Sequence, residues 1–105
     1  GIALYLFGNK RNARGHVREA DGVLEEFECA QAAGVIPIPV GATGDAAQTL
    51  WQRVSHEFAL FYPHTSKAFA RHFQTLGRPT ASNEQLIRAV MSMLQELRNL
   101  AAHPA

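Results

Sequence analysis

The stretch Val35-Ile36-Pro37-Ile38-Pro39-Val40 runs directly into Gly41-Ala42-Thr43-Gly44-Asp45, which sets a short apolar strand against a glycine turn. Alternation puts Ile36, Ile38 and Val40 on one face of that strand. Pro37 and Pro39 stand two residues apart, so their missing N–H groups lie along one side, and that side is a poor partner for a central ladder. The strand is therefore expected at a sheet edge, or fully paired only on its other side. Toward the N-terminus, Ile2-Ala3-Leu4-Tyr5-Leu6-Phe7 is an unbroken apolar run that predicts a strand buried on both faces. Between the two strands, residues 8–20 show no apolar periodicity and predict a long surface loop. Asp21 then stands at an N-cap position. Val23, Leu24, Phe27, Ala30 and Ala33 recur at helical spacing up to Gly34, a natural C′ residue.

On the other side of the glycine turn, with Asp45 as its cap, Ala47, Leu50, Trp51, Val54, Phe58 and Phe61 predict one helix stopped by Pro63. A shorter helix over 66–76 carries Phe69, Phe73 and Leu76 on one stripe and ends at Gly77. Ser82 and Gln85 have the spacing of a capping box, and Leu86, Val90, Met93 or Leu94, Leu97 and Leu100 continue as an amphipathic helix. The fold class is thus α/β: a partial Rossmann-like parallel sheet in a βαβα unit, followed by two more helices. Two strands alone are marginal in water, so the sheet is expected to be completed by strands N-terminal to Gly1. Both connecting loops then leave the carboxyl ends of parallel strands, the edge where open α/β sheets bind ligands.

Composition narrows the function. The chain has 105 residues, 47% apolar, with Lys+Arg 10 against Asp+Glu 9. That balance provides no overall field for nucleic acid or an anionic membrane. No apolar run approaches the roughly 20 residues of a membrane span. The single Cys29 makes neither a disulfide nor a cysteine-based zinc site, and reads as a packing residue of a reduced, cytoplasmic protein. The histidines form no metal-ligand spacing, so neither a metal nor a resident cofactor is expected.

Three segments can carry chemistry. Gly8-Asn9-Lys10, continuing through Arg11, Arg14, His16 and Arg18, places four of the ten cations within residues 10–18. Lys10 and an arginine such as Arg14 suit a phosphate, Gly8 permits close backbone approach, and Asn9 suits a ribose or base. The same charges would equally keep a surface loop solvated. Second, Gly22, Glu25 and Glu26 lie at the start of the first helix, where free N–H groups receive phosphate. The two carboxylates are about 100° apart around the helix, so one of them, Glu25 or Glu26, can face a crevice and accept from ribose hydroxyls. Acidic residues there also simply complement the helix dipole. Third, Gly41, Thr43 and Gly44 can form a backbone nest for phosphate with a hydroxyl beside it, or a plain structural turn.

Taken in order, FGNK, ADGVLEEFE and VIPIPVGATG resemble the second half of a SLOG-superfamily domain across residues 2–62. SLOG domains are Rossmann-like relatives of the LOG nucleotide-processing enzymes. The resemblance extends to the subgroup attached to Sir2 or TIR modules in Thoeris-type antiphage effectors. It implies a sensor that binds a small-molecule nucleotide, such as a cyclic ADP-ribose isomer, and switches an attached N-terminal Sir2- or TIR-like effector, in a homo-oligomer. By that comparison Lys10 meets phosphate, Glu25 or Glu26 meets ribose, and Gly41, Thr43 and Gly44 border the ligand. LOG enzymes carry Gly-Gly-x-Gly-Thr-x-x-Glu at this helix. Here only Gly22 and the glutamate persist, and Val23 replaces the threonine. The alternative reading is a LOG-like nucleoside 5′-monophosphate phosphoribohydrolase with Glu26 as the catalytic carboxylate; a third is an assembly module built on the last two helices.

Overall fold

The computed structural model describes residues 1–6 and 20–103, with side chains from residue 24 onward in the second span. In chain order the elements are β1 (Ile2–Tyr5), α1 (Ala20–Ala32), β2 (Ile36–Pro39), a 3₁₀ turn (Gly41–Thr43), α2 (Asp45–His56), α3 (Phe58–Phe61), α4 (Lys67–Leu76) and α5 (Asn83–Ala102). The expected βαβα unit is present. β1 and β2 pair in parallel, with Ile2 opposite Ile36 and Tyr5 opposite Pro39.

The prolines orient β2 as their spacing implies. The N–H groups of Ile36 and Val40 donate to the carbonyls of Gly1 and Tyr5, each at 2.8 Å. Alternate residues present their polar groups to the same side, so Pro37 and Pro39 face away from β1. That side needs no partner for its missing donors, but its carbonyls still need one. The Tyr62 hydroxyl donates to the Pro37 carbonyl at 2.6 Å, and the ring is 2% exposed.

Paired residues in register share a face. Tyr5 meets Phe27 of α1 edge to face at 5.8 Å, which puts α1 on the Tyr5–Pro39 face. On the other face Ile38 is fully buried, while its partner Leu4 is 50% exposed, with Ile2 at 42% and Leu6 at 47%. The expected burial of β1 on both faces is therefore not observed. The opposite face of β2 lies over the helical core, and that of β1 extends past it.

Helix ends follow the local chemistry. α1 begins at Ala20, so Asp21 falls inside its first turn rather than before it. At its other end Gly34 takes φ +81°, with Val35 N–H on the Ala30 carbonyl and Gly34 N–H on that of Gln31, a Schellman closure. The single helix expected over 45–61 is broken at Glu57, whose φ is −119°. The break points the aromatic residues in two directions: Phe61 packs on Phe27 at 5.8 Å, and Phe58 on Phe73 at 5.3 Å. Glu57 N–H turns back to the Val54 carbonyl, and the Glu57 carbonyl accepts from Leu60 and Phe61.

α4 carries Phe69, Phe73 and Leu76, all fully buried, as their stripe implies. Its first turn is capped twice. Ser66 Oγ accepts from Phe69 N–H at 3.1 Å, while Ser66 N–H and Oγ donate to the two Glu96 oxygens at 2.6 Å each, pinning α4 to α5. The capping box of α5 is complete: Gln85 N–H donates to Ser82 Oγ at 3.1 Å and Ser82 N–H to Gln85 Oε1 at 2.8 Å. The α5 core line runs through Ala89, Met93 and Leu97, so Met93 is the fully buried residue and Leu94 flanks it. Cys29 is exposed, which corrects its reading as a packing residue.

Replacing Tyr62 with Phe keeps the ring and strands the Pro37 carbonyl, and is expected to cost about 1–3 kcal/mol in urea unfolding. Burial holds the Tyr62 phenol above its ordinary pKa of 10.0. The folded state therefore keeps that proton longer than the unfolded state. Its stabilisation is complete below pH 10.0 and is lost as pH rises beyond it, so Y62F should show a shallower alkaline decline in melting temperature.

Candidate functional site

The parallel register brings the carboxyl ends of both strands together, with the turn that follows β2 beside the end of β1. After Val40 the chain makes its 3₁₀ turn. Thr43 N–H and Oγ1 both donate to the Val40 carbonyl, at 3.0 and 2.7 Å, and Gly44 N–H donates to the Gly41 carbonyl at 2.9 Å. α2 starts at Asp45, with Gly44 as N-cap and no side-chain cap bond. This corrects the expectation that Asp45 caps the helix. Gly44 at φ +83° and Asp45 at φ +56° are both left-handed, a conformation glycine adopts without penalty and aspartate tolerates.

Gly41 has a reason of its own to lack a side chain. A Cβ there would lie 2.7 Å from Trp51 Cβ. The turn and α2 are thus in direct contact, and any ligand role of Gly41 falls to its backbone. The Thr43 hydroxyl would have to release the Val40 carbonyl before it could donate to a phosphate.

On the β1 side, Gly22 lies in the first turns of α1, and Glu25 and Glu26 are both exposed. The Tyr5 phenol has its pKa raised first by burial and then by the Glu26 carboxylate. Arg53 of α2 lies over the Phe27 ring at 5.3 Å and 3.8 Å from Glu28, fastening α2 to α1. The cationic candidates Gly8, Asn9, Lys10 and Arg14, with Arg11, His16 and Arg18, lie outside the described residues. Among the described residues no group of three His, Cys, Asp or Glu could hold a metal, and no helix is long and apolar enough to cross a membrane.

One feature of this edge was missed in the sequence. A groove of about 330 Å³ opens between the exposed face of β1 and α5, lined by Leu4, Leu6, Val40, Thr43 and Asn83 with Leu86, Ile87, Val90 and Met91. Ile87 and Met91 are 63% and 61% exposed. Their i, i+4 spacing, beside rather than on the main stripe of α5, was the available signal.

The profile of the Sir2- and TIR-associating SLOG family matches residues 1–97, and the chain belongs to that family. Among curated proteins it is similar to the NAD(+) hydrolase ThsA of Bacillus cereus (strain MSX-D12), with 34% identity over 94% of this chain and 21% of the relative. It is also similar to the ThsA of Cytobacillus dafuensis, at 34% identity over 93% of this chain and 19% of the relative. A third relative is the ThsA of Acinetobacter baumannii (strain 532279), at 30% identity over 90% and 21%. The chain thus spans about a fifth of the length of these relatives.

Gly41→Ala is expected to force the added methyl against Trp51 and to lower stability by about 1–3 kcal/mol in thermal unfolding. Gly44→Ala, with open space around its Cβ, is expected to lose only the cost of its left-handed backbone.

Proposed function

We propose that this chain is the C-terminal part of a nucleotide-sensing SLOG domain in a larger antiphage effector. Upstream strands of the same domain continue the sheet along the open edge of β1. The observation that supports this reading is the parallel pairing itself. It brings the Gly41–Gly44 turn beside the end of β1, the strand that the cationic residues 10–18 follow in sequence. A diphosphate-containing nucleotide would find three kinds of partner there. Lys10 and Arg14 supply charge-assisted hydrogen bonds to phosphate, with Gly8 permitting close backbone approach and Asn9 bonding ribose or base. The first turns of α1 and α2, with Gly22 and Gly44, supply backbone N–H groups. Glu26, in preference to Glu25, accepts from ribose hydroxyls, since its charge is the one felt at the end of β1.

The NAD+ hydrolysis named for the relatives belongs to their full chains. For this protein we assign it to an attached Sir2- or TIR-like module in a cytoplasmic homo-oligomer. A cyclic ADP-ribose isomer is the ligand class proposed for the SLOG part. Val23 in place of the LOG threonine favours binding over hydrolysis.

Calorimetric titration with cyclic ADP-ribose isomers, ADP-ribose and AMP tests the reading. At least one diphosphate ligand is expected to bind, and Lys10→Ala to weaken it about tenfold or more, the loss of one charge-assisted phosphate contact. Absence of binding to all of them refutes the sensor. Release of free adenine from AMP at a rate abolished by Glu26→Gln would establish the hydrolase instead.

A further inference from the structure

Trp51, the only tryptophan in the chain, sits where three elements meet. Its indole stacks on Phe73 of α4 with centroids 5.0 Å apart and planes 9° from parallel, and its Nε1–H donates to the Phe73 carbonyl at 2.9 Å. On one side Gly41 lies against its Cβ and Cγ; on the other Gly77, the residue that ends α4, lies against the six-membered ring. Gly77 has φ −94°, which any residue adopts. Its glycine is therefore required by space alone, and the space is filled by Trp51. Gly41 is constrained in the same way. Two glycines 36 residues apart in sequence (41 and 77) are thus matched to the two ends of one side chain.

This geometry constrains motion. The 3₁₀ turn cannot advance toward α2 without displacing the indole. The indole in turn is fixed to α4 by a stack and a hydrogen bond. α4 is held to α5 by Glu96 on Ser66.

We propose that Trp51 is a positioning residue: it transmits the placement of the α4–α5 hairpin to the Gly41–Thr43 turn, and so sets the geometry of the turn on which the nucleotide reading rests. The coupling runs through packing and holds whether or not the turn binds a ligand. Ligand binding at the turn would then be felt at α4, because coupling between two sites is reciprocal.

Amide hydrogen exchange of the chain provides a ligand-independent test. The reporters are Thr43 and Gly44 N–H in the turn, read against Ile36 and Val40 N–H in the ladder. Gly77→Ala, some distance along the chain from the turn, should speed turn exchange roughly tenfold relative to the ladder, a local opening beyond global unfolding. Phe27→Leu trims a core ring of α1 that packs on Tyr5 and Phe61, outside the α4–α5 hairpin, and should not raise the turn-to-ladder ratio. Trp51→Phe in the Gly77→Ala background replaces the indole with a smaller single ring, removing the outer atoms that face Gly77, and should recover part of the lost stability. Where Gly77→Ala fails to fold, Trp51→Phe alone carries the comparison, since it loses the bond to the Phe73 carbonyl. Equal ratios in Gly77→Ala and Phe27→Leu, or in Trp51→Phe and the parent chain where that comparison is used, overturn the proposal. Calorimetry with ADP-ribose on the same variants separates the two ideas. No binding by the parent chain counts against the nucleotide reading and leaves the exchange result standing. Binding that Trp51→Phe leaves unchanged removes Trp51 from the positioning of that site.

Discussion

The hydrogen bond from the Tyr62 hydroxyl to the Pro37 carbonyl is the contact on which the arrangement of the other elements depends. A strand with prolines at alternate positions has one edge without donors, and that edge retains carbonyls that must be satisfied when buried. Tyr62 meets the requirement from the far end of the α2–α3 segment. To reach Pro37, the chain must bend at Glu57, and the bend sends Phe61 toward Phe27 and Phe58 toward Phe73. The placement of one phenol thus helps determine both how α1 is covered and how the helical hairpin attaches.

That attachment is made largely by aromatic side chains. Phe58, Tyr62, Phe69 and Phe73 form a continuous set of edge-to-face contacts with centroids 4.8–6.2 Å apart, and Trp51 adds a stacked pair with Phe73. Rings have few rotatable bonds and well-defined contact geometries, so a joint built from them holds one relative position. The strand ends, the 3₁₀ turn and the start of α2 are therefore presented from a rigid support. The side opposite this support, where Leu4 and Leu6 face Ile87 and Met91, has no comparable cover among the described residues.

Much of the fold was legible because its determinants are local. The prolines of β2, the C′ position of Gly34, the Ser82–Gln85 box and the Phe69–Phe73–Leu76 stripe each act within one or two turns of their own position, and each is observed as its spacing implies. The misreadings arise from distant partners. A helical period continues through Glu57, and only the separate destinations of Phe58 and Phe61 break it. The apolar run of β1 cannot reveal which of its faces the rest of the chain covers. Gly77 reads as an ordinary helix stop, although its lack of a side chain answers to Trp51, 26 positions earlier (77 against 51). For the candidate site, periodicity left Glu25 and Glu26 equivalent. The Glu26 carboxylate, unlike a period along the helix, acts on Tyr5 across the crossover from α1 to β1.

The asymmetry of the two strand edges also governs how this sheet can associate. Exposed edges are the usual template for runaway pairing between chains, and fibrils need two of them per molecule. Here the β2 edge offers no amide donors at Pro37 or Pro39, and the Pro37 carbonyl is already occupied by Tyr62. A sheet so built can be extended only from β1. Strands that join at β1 leave β2 as the outermost strand, so a sheet extended from this unit ends at its prolines.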